Sequence, residues 1–168
     1  MFARLSSATV TARLSGWRGR AIATAKNHHF IVDSPLALGG PNEEINPIDL
    51  LLSALATHAT FVCERYAQEQ GIRLEMLVVA ATGEFDPRGI VRGELVEPNL
   101  QQIQLRLTLA GVGFEEANAL ADAVRTRCPV YATLARAVPI EIRTVIERPT
   151  LDLPQSNPTH MQSSDQGG

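Results

Sequence analysis

Asn46-Pro47-Ile48-Asp49 opens the segment that most constrains what this chain can fold into. Asn46 can accept hydrogen bonds from the free amides of a helix start, and Pro47 suits the first helical position with its fixed φ. Asp49 stands where a carboxylate answers the N-cap and favours the positive end of the helix dipole. Nothing breaks the helical pattern before Gly71, a residue type that closes helices in the left-handed conformation, so the sequence predicts one helix from Pro47 to about Gln70. Its opening turns are apolar nearly all round, with Ile48, Leu50, Leu51, Leu52, Ala54, Leu55, Ala56, Ala59, Phe61 and Val62. A surface helix keeps a polar face. This one has to be covered twice, by sheet on one side and by another helix or a second chain on the other.

Strand patterns surround it. Ala8–Leu14, Arg20–Ala25 and His29–Val32 read as a β-meander turning at Gly16/Gly19 and at Asn27, and Ser34–Ile45 reads as a loop through Pro35, Gly39, Gly40 and Pro41. After the helix come strands at Leu74–Phe85 and Leu100–Ala110, the second with strict alternation of Ile103, Leu105, Leu107 and Leu109. Asp86–Asn99 between them is an irregular loop. A second helix runs from Gly113 to Arg127 with Phe114, Ala117, Leu120, Ala121 and Val124 on one stripe. Cys128-Pro129 ends it and starts a third, Pro129–Ala137, before a last strand at Ile140–Ile146. Strands, a long helix, strands, two helices and a strand make an α+β domain over residues 1–148, and the Pro-, Ser-, Gln- and Gly-rich segment 149–168 reads as a disordered tail.

Charge and composition exclude several function classes. With 15 basic and 18 acidic residues the chain carries a net charge of -3, the wrong sign for a nucleic-acid or anionic-membrane partner. At 45% hydrophobic and 20% charged it has the make-up of a soluble globular domain. No run approaches the ~20 apolar residues of a membrane span, and no secretory block opens the chain. Arg4, Arg13, Arg18, Arg20 and Lys26 precede the first acidic residue, Asp33, as in an organelle transit peptide. Thr9–Leu14, however, alternates as a strand the fold needs, and a cytoplasmic location is the expectation. Gly39-Gly40 lacks the spacing of a phosphate-cradling loop.

Chemistry can reside in few places. Cys128, followed by Pro129, occupies an N-cap, where free amides and the helix dipole stabilise a thiolate; it is equally readable as a small buried residue ending a helix. Cys63 lies mid-helix, where a cysteine packs as a small hydrophobe. His58 places an imidazole in the most apolar part of the long helix, as a core or interface residue or as part of a site. Arg18 and Arg20 flank Gly19 at a hairpin and can be solvated or reach an anion. His28 and His29 face opposite sides of a strand and cannot share a metal, and His160 is in the tail. Two cysteines are too few for a disulfide scaffold or a structural zinc site, and no cofactor motif is present.

The run Asn46-Pro47-Ile48-Asp49-Leu50-Leu51-Leu52-Ser53-Ala54-Leu55, the later Cys128-Pro129-Val130, and Val32-Asp33-Ser34-Pro35 with Gly39-Gly40 together resemble the OsmC/organic hydroperoxide resistance family over about residues 8–147. The resemblance implies an OsmC-like fold in which antiparallel strands pack around a long buried central helix, assembled as an intertwined homodimer with a small-molecule pocket at its interface. It implies thiol-dependent reduction of organic hydroperoxides in the oxidative stress response. There, a cysteine on the central helix attacks the peroxide, the cysteine of Cys-Pro-Val resolves the sulfenic acid as a disulfide, and an arginine with a glutamate orients the thiolate.

Carried over residue by residue, Cys128 matches the resolving cysteine and Arg18 or Arg20 the arginine. The attacking cysteine falls twelve residues after Asn46, at His58, and the glutamate falls at Ile48. Cys63 lies about 140° round the helix from His58, so it is the weaker redox candidate. The expectation is therefore a Cys128–His58 pair, nucleophile and base, with an external thiol reductant completing an atypical or impaired cycle. An active member would be a thiol-dependent, peroxidase-like oxidoreductase. The alternative is a non-peroxidatic homodimer that keeps the pocket and binds an apolar or anionic small molecule.

Overall fold

The computed structural model describes residues 5–91 and 96–147; the tail expected to be disordered, 149–168, lies outside them. The chain forms β1 (Val10–Leu14), β2 (Arg20–Ala25), β3 (His28–Asp33), a 3₁₀ turn at Leu36–Leu38, and α1 (Pro47–Gln70). There follow β4 (Met76–Glu84), α2 (Arg88–Val91), β5 (Gln102–Ala110), α3 (Phe114–Arg127), α4 (Pro129–Leu134) and β6 (Ile140–Glu147). The strands make two three-stranded sheets, β1-β2-β3 and β4-β5-β6.

The long helix starts and stops where its local chemistry requires. Asn46 Oδ1 accepts from the amides of Ile48 and Asp49 at 2.9 and 3.0 Å, and its amide group donates to the Asp49 carboxylate. Gly71 adopts φ 67°, and the amides of Gly71 and Ile72 donate back to the carbonyls of the last turn. Along α1 the buried residues are Leu55, Ala59, Val62, Cys63 and Ala67. That stripe faces the inner row of β5, where Ile103, Leu105, Leu107 and Leu109 are fully buried. Helix α1 lies over the β4 side of this face and α3 over the β6 side, so the core is a helix pair on a sheet. The other face of β5 carries Gln102, Gln104, Arg106 and Thr108, as the two-residue period dictates.

Four expectations change. β4 and β5 are antiparallel, but β6 pairs with β5 in parallel, from Ile103↔Ile140 to Ala110↔Glu147. The two helices between them carry the chain back to the starting end of β5, which forces the same direction. Phe114, expected on the buried stripe of α3, is exposed, because it is the first helical residue and precedes the sheet edge that covers Ala117, Leu120 and Val124. The segment read as an irregular loop contains the single turn α2, and α4 ends at Leu134 rather than Ala137.

Among the described residues only one face of α1 is covered; Phe61, 63% exposed, projects from the other. The β1–β3 meander likewise has no helix laid across it among the described residues, and Val10, Leu14, Trp17 and Ile31 stand open. The backbone nevertheless ties the meander to the loop before α1. A Cβ on Gly19 would lie 2.4 Å from Gly40 Cα, and one on Gly40 would lie 2.0 Å from the Ser34 carbonyl oxygen, so main chain packs directly on main chain there.

Because the β5 row is fully enclosed, Leu107→Ala should lower unfolding stability by about 2–5 kcal/mol. Asn46→Ala, which removes only the cap, should cost about 1 kcal/mol. Urea denaturation of both variants checks the ratio.

Candidate functional site

The candidate residues fall into three places. Arg20 and Asp33 face each other across the β2–β3 pairing, directly in register. The guanidinium donates from Nε to Asp33 Oδ1 and from Nη2 to Oδ2, both at 2.8 Å, and Nη2 also donates to Glu43 Oε2. Asp33 is buried, and it also accepts from the amides of Glu43 and Glu44 at 3.1 Å. Hydrogen bonding from Arg20 holds its carboxyl down at about 2, against the opposing effect of burial, with the Glu43 amide helping. A guanidinium committed in this way pins the 34–45 loop to the meander. Arg18 differs: it is exposed, makes no ion pair among the described residues, and lies against Gly39, where a Cβ would come within 2.9 Å of its Nη2.

Both cysteines are in the core. Cys128 caps α4 and its sulfur accepts from the Tyr131 amide at 3.3 Å, the arrangement the Cys-Pro spacing predicts. It is 1% exposed. Cys63 is fully buried, and its sulfur faces the Leu120 carbonyl of α3 at 3.9 Å. Burial, reinforced by the neighbouring Cys128, pushes the Cys63 thiol up to about 12. It is thus Cys63, on the inward stripe of α1, that shares the buried cluster with Cys128.

No hydrogen bond joins His58 to Cys128, so the expected nucleophile–base contact is not made within the chain. With Cys63 turned into the core, the helical period turns position 58 to the flank of α1. There His58 lines a cleft of about 350 Å³ with Phe61, Val62, Arg65, Glu69 and Arg127. Its Nδ1 is buried and has no hydrogen-bond partner. Arg127, at the end of α3, donates to Glu69 at 2.5 Å and lies over the Tyr66 ring with its guanidinium carbon 5.0 Å from the centroid. Arg65 donates to the other Glu69 oxygen at 2.8 Å. Sequence reasoning missed Arg127, Arg65 and Glu69; the i, i+4, i+7, i+11 spacing of His58, Val62, Arg65 and Glu69 was the available signal, while Arg127 joins them only through the α1–α3 packing. Among the described residues no group of three or more His, Cys, Asp or Glu side chains converges on one point, and no helix is long and apolar enough to cross a membrane. His29 bonds Thr24 through Nδ1 at 2.8 Å.

The family model described as OsmC-like protein matches residues 40–143, from the loop before α1 into β6. The chain belongs to the OsmC-like family. Among solved structures, the OsmC-like protein of Mycoplasma pneumoniae superposes with a TM-score of 0.72 at 20% identity, covering 84% of this chain and 97% of its own. An organic hydroperoxide resistance protein from Elizabethkingia anophelis, solved with crystallant-derived thiocyanate bound, gives 0.70 at 18% identity, covering 87% and 100%. The organic hydroperoxide resistance protein OhrB of Bacillus subtilis gives 0.60 at 21% identity, covering 84% and 99%. No curated protein matches the sequence significantly. The OsmC-like α+β fold therefore spans nearly the whole length of these relatives, and the resemblance read from Asn46-Pro47 and Cys128-Pro129-Val130 identified the family correctly.

The Arg20–Asp33 pair gives this OsmC-like domain a pH dependence of definite sign. Asp33 is held below its ordinary value, so its contribution is complete above pH ~4 and is lost as the pH falls toward about 2. The melting temperature should drop through that window. Asp33→Asn should be less stable at pH 7 and show a shallower acid dependence, measured by calorimetry from pH 2 to 7.

Proposed function

We propose that this OsmC-like chain is a non-peroxidatic homodimer that binds a small molecule beside α1. Hydroperoxide-linked redox chemistry is the function that family membership brings by resemblance, and two of the similar proteins are named organic hydroperoxide resistance proteins. The observation against a two-cysteine cycle here is the state of the thiols. Where the resemblance expects the attacking cysteine stands His58, and the two cysteines the chain does possess are shut in the core. A peroxide is attacked by an accessible thiolate. Cys63, raised to about 12, is a thiol at neutral pH, and association with a second chain can only add to its burial.

The homodimer is supported by what a single chain leaves bare. Val10, Leu14 and Trp17 on the meander and Phe61 on α1 are 61–83% exposed, apolar side chains that a second copy would cover. A second copy is the partner the family resemblance supplies. Arg18, unlike Arg20, is left with a guanidinium available to a ligand or to the other subunit.

One observation favours a second reading. The Tyr131 amide donates to Cys128 Sγ, so a thiolate formed there would be stabilised by α4. On that reading Cys128 alone acts, and an external thiol reduces its sulfenic acid.

The parent protein should consume cumene hydroperoxide in dithiothreitol no faster than the Cys63→Ser/Cys128→Ser double variant. Thiol-dependent turnover abolished by Cys128→Ser alone would replace the first reading with the second. Sedimentation velocity should give a dimer mass for the parent, and Phe61→Glu should shift it toward monomer.

A further inference from the structure

We draw no further inference here: the strongest candidate, the apolar cleft of about 410 Å³ that Leu38, Ile48 and Phe85 line between the 34–38 segment, the start of α1 and the residues after β4, includes the position at which the family resemblance places the site glutamate, and nothing in the structure shows what covers it.

Discussion

The enclosure of one row of β5 side chains governs the rest of this molecule. Ile103, Leu105, Leu107 and Leu109 have no contact with solvent, and each buried aliphatic of that size contributes roughly 1.5–3 kcal/mol. Covering them requires α1 and α3 together, and α1 can do so only by presenting the stripe from Leu55 through Ala59 to Cys63 and Ala67. That choice fixes the helix's rotation. Once Cys63 is inward, His58 lies on the flank of α1 beside Arg127, and Phe61 points away from the chain. The chemistry of the thiols and of the imidazole is thus set by packing, before any ligand is considered.

How legible this was from the sequence depended on how local each piece of information is. The α1 boundaries were readable because Asn46, Pro47 and Gly71 act within a few residues of themselves. The β5 row was readable because strict alternation admits one secondary structure. The direction of β6 was not readable, since a strand's own pattern is the same whether it runs parallel or antiparallel to its neighbour. Nor was the Arg20–Asp33 pair, because the two residues are partners only by virtue of the β2–β3 register. Position 58 shows the limit most clearly. The helical period gave the angle between His58 and Cys63 correctly, but which of them turns toward Cys128 is decided by the packing of α1 on α3 and the sheet.

Arginine is used in two contrasting ways on the two sides of the molecule. Arg20 is held by buried Asp33 and by Glu43 through Nε and Nη2, and serves to fasten a loop to a sheet. Arg127 and Arg65 divide one carboxylate between them at a cleft and so leave charge uncompensated. Counting arginines near a hairpin or a helix end therefore says little about function; the ratio of guanidiniums to carboxylates within reach distinguishes a fastener from a binding group.

The parallel placement of β6 also bears on how the chain reaches this state. β5 gains its β4 neighbour through one intervening segment, but its second edge is filled by a strand that the chain reaches only across the α3–α4 crossover. Without β6 the most deeply buried strand of the domain presents an unpaired edge of main-chain donors and acceptors, a template for strand addition from another molecule. Truncation before Ile140, or slow formation of the helical crossover, makes that edge persistent. β6 is in this sense a guard against aggregation as much as a part of the sheet.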